Sequence, residues 1–326
     1  MLKRIGMDVE GYAKLEHDKG FLSMEDDHQW SYLTEIFLIL SKSLRPSETE
    51  EKVFVDTQRW QREMALWKDY RHGQNEVLMS MEKPSIETYL NGLDNSLMLR
   101  AWLIAYVNKR RDYCQNEILK HILETSGQFH KIIASMVFGM IVNDYLNRYS
   151  LENAIERSKE WVIRLKPEQF FKQFDQWSKI PKDKLYKNPL VAFEKARIQL
   201  IMELDGEETA STLEKLEKRL DSPYGNWAQS FEDLAANNCE ILEVKDKKII
   251  LNFIQYLIKL REGRIDPQNI KAVIGESVDI FGQAEGLQVN HDLLGLCKIL
   301  KKGENSKYIK LLVETKTGIY RFLKIK

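Results

Sequence analysis

The sequence predicts an all-α fold, a multi-helix array of antiparallel helix pairs that ends in a small C-terminal β-hairpin. Apolar residues recur at spacings of three and four over most of the chain, which places them along one side of a helix. Seven prolines and 16 glycines are few for 326 residues, and this favours long helices over a turn-rich β-protein. Alternation of apolar and polar residues, the pattern of a half-buried strand, dominates only the C-terminal tail.

Two strongly apolar stretches within residues 95–145 organise the chain. Their stripes consist of Leu99, Trp102, Leu103 and Tyr106 in the first stretch and of Ile132, Ile133, Met136, Val137, Met140 and Ile141 in the second. A membrane-spanning helix needs about 20 predominantly apolar residues, whereas Arg100, His130 and Asn143 interrupt these two. We therefore expect core helices and no membrane partner.

The N-terminal part of the chain predicts two further helices. The first covers about residues 29–44, and Asp26 and Asp27 stand at its start. Carboxylates there accept hydrogen bonds from free backbone N–H groups and face the positive end of the helix dipole. Pro46 ends this helix, and the capping-box pattern from Ser47 to Glu50 predicts the start of the next one.

The chain after the central pair predicts two helical lobes. Helices are expected at about 151–165 and from Pro167, and the two prolines between Ile180 and Pro189 mark a boundary. The N-terminal lobe is therefore 1–180 and the C-terminal lobe 190–303. The second lobe contains predicted helices at about 190–204, 209–220, 227–242, 248–261 and 292–300, the last ending at Gly303.

Residues 304–326 form a predicted β-hairpin tail around the turn Lys316-Thr317-Gly318. The apolar residues of its strands are Ile309, Leu311 and Val313 on one side of the turn, and Ile319, Leu323 and Ile325 on the other. A two-stranded hairpin is marginally stable alone, so the strands must dock on the helices or pair with a partner's strand. The lysines at 310, 316, 324 and 326 favour an acidic partner.

Composition excludes several classes of function. Lys plus Arg and Asp plus Glu both number 49, so no net charge directs the protein toward nucleic acid. Cys114, Cys239 and Cys297 contain no CxxC pair, which indicates reduced thiols. The N-terminus lacks the apolar run of a secretory signal. We expect a cytoplasmic protein.

Asp26-Asp27-His28 is the densest polar cluster and has two interpretations. It is a helix cap, or it supplies two carboxylates and an imidazole to a metal ion. The stretch Glu25-Asp26-Asp27-His28 before a helix resembles the Thr-Asp-Asp-Thr metal motif of the ADP-ribosylglycohydrolases, an all-α family. That resemblance implies a metal-dependent hydrolase. The second metal motif of the family, Asp-x-Asp-Thr, has no counterpart here, since Glu276 and Asp279 lack its spacing and its threonine.

No other pattern indicates catalysis. The sequence has no HExxH, GxSxG, Walker or GxGxxG motif, and its six histidines are not closely paired. We therefore predict no catalytic residue, no cofactor and no metal outside the alternative just described.

A second resemblance covers residues 89 to about 227. The matching segments are Trp102 to Asp112, Ile118 to Leu123, Asn188-Pro189-Leu190, Met202 to Gly206, and Leu213 to Leu216, followed by Trp227. They resemble immunity family 49, helical proteins of bacterial polymorphic toxin systems. The resemblance implies a non-catalytic immunity protein that binds and neutralises a cognate toxin. The alternatives are the metal-dependent ADP-ribosyl hydrolase and a subunit of a phage-defence assembly.

Overall fold

The computed structural model describes residues 32–206, 208–222, 227, 231, 247–269, 278–316 and 318–326. In the first part, α1 (Tyr32–Ser43), β1 (Leu44–Pro46) and β2 (Val53–Val55) precede α2 (Thr57–Tyr70), α3 (Glu76–Ser80) and α4 (Ile86–Asn91). The middle contains α5 (Leu97–Val107), α6 (Arg111–Ile122), α7 (Phe129–Leu146), α8 (Leu151–Arg164) and α9 (Pro167–Trp177). Next come α10 (Lys182–Leu185), α11 (Pro189–Leu204), α12 (Thr209–Arg219) and α13 (Lys247–Glu262). The strands β3 (Gln288–His291), β4 (Gly295–Glu304), β5 (Tyr308–Thr315) and β6 (Gly318–Ile325) follow.

The prediction of a mostly helical chain is confirmed. None of the described helices is both long and apolar enough to cross a membrane. Asp26, Asp27, His28 and Cys239 lie outside the described residues, as does most of the helix predicted at 227–242.

Helix α7 lies at the centre of the helical body. It is buried without a break from Lys131 to Asp144, and α5, α6, α8, α11 and α12 all pack on it. A helix that is hydrophobic all round has no face to give to solvent, so its neighbours surround it. Gly139 lets α7 and α6 pack closely together, because a Cβ atom added there would overlap Cδ1 of Ile118 on α6.

The most deeply buried side of helix α5 is not the side that the sequence predicts. Leu99, Trp102 and Tyr106 are half-buried, while Arg100 is completely buried. Asp94 forms an ion pair with the Arg100 guanidinium, which also donates to Ser96 Oγ at 3.0 Å and to Thr125 Oγ1 at 2.8 Å. Because these partners offset the cost of burying the charge, an arginine that breaks the apolar pattern occupies the core.

The prediction that a helix starts at Ser47 is wrong. Ser47 Oγ accepts the N–H groups of Thr49 and Glu50, each at 3.3 Å, but this turn joins β1 to β2. The side chain of Asn108 holds β2, because its Oδ1 accepts the Val53 N–H and its Nδ2 donates to the Val53 carbonyl. Helix α2 begins later, where Asp56 accepts the Arg59 N–H at 3.0 Å.

Residues 180–189, the predicted boundary between lobes, lie against the central helix. The Tyr186 ring stacks on Phe129 with 4.3 Å between centroids, and its hydroxyl donates to the Gly127 carbonyl at 2.8 Å. Helix α11, which follows, packs on both α7 and α8. The buried apolar residues on the two sides of this segment belong to one core cluster.

Helix α13 closes the helical body on the side of α1 and α5. The Tyr256 hydroxyl donates to the Leu44 carbonyl at 2.7 Å, and Arg261 Nη1 donates to the Tyr106 carbonyl at the same distance. These contacts join the late part of the chain to its N-terminal helices.

The prediction of a helix at 292–300 is wrong. The C-terminal β-structure is also larger than the predicted hairpin. Residues Gly295–Glu304 form β4, and the four strands make an antiparallel sheet in the order β3-β4-β5-β6. The apolar residues between 293 and 300 fit either periodicity, but pairing of Ile299 with Val313 and of Cys297 with Thr315 selects the strand. Gly295 has a φ of +71°, which allows the turn between β3 and β4.

We expect Gly139→Ala to destabilise the protein by about 1–3 kcal/mol, the usual range for overpacking a core. In an Ile118→Val background the same substitution should cost less, because valine lacks the Cδ1 atom that meets the new methyl group. Urea unfolding of the two single variants and the double variant measures the coupling. Simple additivity of the two free-energy changes would contradict the close approach of α6 and α7.

His121 predicts a loss of stability in acid. Burial, with a further effect of Arg100, lowers its pKa well below the usual value. The unfolded chain therefore takes up a proton near pH 6.5 that the native state does not, and the linkage costs up to about 1.4 kcal/mol per pH unit.

His121→Phe keeps an aromatic ring beside Trp60, whose centroid lies 4.7 Å away, and removes the titrating group. Between about pH 7.5 and 5.5 the variant should lose about 1.4 kcal/mol less than the wild type in urea titrations. Equal losses would show that His121 does not titrate in this way.

Candidate protein-binding surface

The inner face of the C-terminal sheet is packed on the helical body. Ile299, Leu311, Val313 and Phe322 are at most 1% exposed. The Phe322 ring lies 5.5 Å from Tyr70 at the end of α2, and the two rings meet edge to face. The prediction that the strands dock on the helices is therefore confirmed for this face.

Polar contacts fix the position of the sheet. Arg62 on α2 forms an ion pair with Asp292 in the turn after β3. Lys302 Nζ on β4 donates to the carbonyls of Phe281 and Gln283, at 2.7 and 3.1 Å. Burial raises the pKa of Asp69 on α2, and the positive charge of Lys324 on β6 opposes this effect. The sheet is thus anchored at several points and presents its other face outward.

We define the outer face as the outward side of β4, β5 and β6. Its aliphatic residues on β6 are Ile319, Leu323 and Ile325, which are 59%, 43% and 80% exposed. The register places Glu314, Lys310 and Tyr308 of β5 directly opposite them. Antiparallel sheets commonly show a polar face to water, so exposed aliphatic residues here need an explanation.

The outer face is also positively charged. Lys298, Lys301 and Lys310 have no carboxylate partner among the described residues. The Lys310 ammonium lies 5.0 Å from the centroid of the Tyr308 ring, within range of a cation–π contact. Glu314 lies between Lys298 and Ile319 in the register. The outer face therefore combines apolar contact area with unpaired cations.

The sequence located this surface only in part. Lys310 lies on the outer face and Lys316 is exposed at the turn, but Lys324 lies 3.7 Å from Asp279 and Lys326 2.7 Å from Glu304. Ile319, Leu323 and Ile325 were expected to need cover from the helices, yet Tyr320 and Phe322 point to the helical body. The alternation of β6 is apolar on both faces, so it does not say which side is buried.

A second strip of exposed apolar residues lies on α11. Val191, Ile198 and Met202 are 60%, 52% and 71% exposed and share one side of the helix, because their spacings are seven and four. The opposite side carries Phe193 and Leu200, which are completely buried. Because α11 is apolar on both sides, its sequence does not show which side is buried and which is exposed.

The surroundings of the acidic, histidine and cysteine side chains bear on catalysis and on metal binding. No three His, Cys, Asp or Glu side chains of the described residues lie together in a way that could hold a metal ion. Cys114 and Cys297 are buried, and burial raises the pKa of both thiols. Since the thiolate is the nucleophile, neither environment activates its cysteine.

No protein-family model matches this sequence, and no curated protein or solved structure matches it.

Neighbouring residues on β6 test the two faces of the sheet. We expect Phe322→Ala to lower the free energy of unfolding by about 3–5 kcal/mol, because it removes a buried aromatic ring. Leu323→Ala should change it by less than about 1 kcal/mol, since that side chain faces solvent. Urea unfolding of the two variants measures both values. A large loss for Leu323→Ala would mean that the outer face is covered.

Proposed function

We propose that this chain binds a protein partner through the outer face of its C-terminal sheet, and that the partner is a bacterial toxin that the chain neutralises. The observation that carries the proposal is the exposure of Ile319, Leu323 and Ile325 on a sheet whose other face is packed on the helical body. Apolar area removed from water stabilises a complex by roughly 25 cal/mol per Å². A docked sheet also presents this area without a large ordering cost.

The charges of the outer face indicate the chemistry of the partner. Lys298, Lys301 and Lys310 favour an acidic surface, and complementary charges raise the rate of association and exclude wrong partners. An apolar patch rimmed by carboxylates is the complementary surface. Such a partner would cover the three aliphatic residues of β6 and pair with the lysines of β4 and β5.

Neutralisation of a toxin is supported by the resemblance to the immunity proteins. The matching segments from Trp102 to Asp112 and from Ile118 to Leu123 lie on α5, on α6 and in the loop between them, in the helical body. The sheet lies outside the resemblance. We therefore assign the helical body to the shared scaffold and the sheet to recognition of the particular toxin. A subunit of a phage-defence assembly would also bind protein, but it would not protect cells from a toxin.

The test screens the products of the neighbouring genes for one that is toxic to cells when it is produced alone, and uses that toxin. Cells that produce this toxin should grow when they also produce the chain, and the purified proteins should form a complex. We expect the double variant Ile319→Ser/Leu323→Ser to retain its fold and to bind at least about tenfold more weakly, equivalent to about 1.4 kcal/mol. Growth rescue should be lost in parallel. Circular dichroism and thermal melting verify that the variant is folded.

The matched control is Val191→Ser/Met202→Ser on α11, which changes two exposed apolar side chains elsewhere. It should bind and protect like the wild type. If the α11 variant loses binding and the β6 variant retains it, the interface lies on the helical body. Absence of both complex and protection would refute the immunity function.

A further inference from the structure

A cleft of about 600 Å³ lies at the N-terminal end of α7, on the helical body. Its wall includes His130 and Lys131 from the first turn of α7, and Lys215, Lys218 and Arg219 from α12. Leu93, which is 65% exposed, also lines it. The volume is within the range of small-molecule sites in proteins, about 300–1,000 Å³.

Ion pairs fix part of this wall and leave it positive. Lys131 Nζ lies 2.5 Å from Asp221 Oδ2 and donates to the Gly92 carbonyl at 3.1 Å. Arg219 pairs with Glu203 through two nitrogen atoms. Both carboxylates of the wall are thus engaged, whereas Lys215 and Lys218 have no carboxylate partner among the described residues. Two uncompensated positive charges remain.

Both burial and the surrounding charges act on the imidazole of His130 in the cleft. Burial, followed by the positive charges of Arg219 and Lys131, lowers its pKa to about 4. The imidazole is therefore neutral at physiological pH and adds no charge, but it can still donate or accept a hydrogen bond. The negative charge of an anion bound in the cleft would oppose the effect of Arg219 and Lys131 and raise the pKa of His130 toward 6.5.

We propose that the cleft binds a small organic molecule through a dianionic phosphate group. Two unpaired lysines match the double negative charge of a phosphate monoester, and hydrogen bonds to charged groups are stronger than neutral ones. The volume exceeds that of phosphate itself, so the site has room for the organic part of the ligand. The exposed side chain of Leu93 offers that part an apolar contact. The inference is independent of the proposed toxin partner, because the residues belong to a different surface.

The experiment titrates the full-length protein with adenosine 5′-monophosphate, ribose 5-phosphate and inorganic phosphate at constant ionic strength. Calorimetry gives the affinity, and NMR of the imidazole protons follows the pKa of His130. We expect saturable binding of the monoesters with a Kd below about 1 mM, equivalent to about −4 kcal/mol. Inorganic phosphate should bind more weakly. The pKa of His130 should rise from about 4 when the monoester is bound.

Variants separate the cleft from general attraction of anions. Lys215→Gln/Lys218→Gln should weaken monoester binding at least about tenfold. The control Lys184→Gln/Lys187→Gln removes the same charge from exposed lysines that do not line the cleft, and it should bind like the wild type. Equal weakening in both variants, or no saturable binding of a monoester, would overturn the proposal. Equal affinity for inorganic phosphate and the monoesters would overturn its organic part.

Discussion

Burial of α7 on every side is the constraint on which the rest of the structure depends. A helix without a polar face cannot lie at the surface, so the chain must place protein around it. The helices before it and after it in sequence both do this, and α11 and α12 complete the cover. The charged side chains that α7 buries lie near its ends, where Lys131 and Asp144 meet charged partners from other elements, and the buried hydroxyl of Ser135 donates to the Lys131 carbonyl of the same helix. His130 and Lys131 in the first turn of this helix form part of the wall of the cleft.

Charged groups lie inside the helical body and form ion pairs there. Arg100 with Asp94 is completely buried, and Asp144 accepts Arg111 and Arg157 at 3.2 and 3.1 Å. Removing one partner of a buried pair leaves an uncompensated charge, which costs about 3–5 kcal/mol. A repacked core that separated Arg100 from Asp94 would therefore be strongly destabilised.

The sequence predicted the parts of the fold that depend on local pattern. The central helix, the hairpin of β5 and β6 and several helix starts follow from periodicity and turn chemistry. The sequence could not predict β4, because the apolar spacing of this segment suits a helix as well as a strand. Only pairing with β5, where Val313 lies opposite Ile299, selects the strand. The buried side of α5 was missed for a related reason, since Asp94, Ser96 and Thr125 together make Arg100 acceptable in the core.

The two surfaces differ in how far local sequence reveals them. The lysines of the tail pointed to the outer face, but the choice between the two apolar sides of β6 depends on Tyr70 in a distant helix. The cleft was not visible at all. Leu93, Lys131 and Lys215 are far apart in sequence, and no short motif records that folding brings them together.

The docking of α13 has a consequence for synthesis of the protein. Tyr256 reaches back to Leu44 across 212 residues, and bacterial or eukaryotic ribosomes add about 5–20 residues per second. The apolar surface of α1 that α13 covers is therefore made roughly 10–40 s before its cover. During that interval the nascent chain exposes a hydrophobic site of the kind that chaperones protect. The N-terminal helices therefore complete their packing only after α13 has been synthesised.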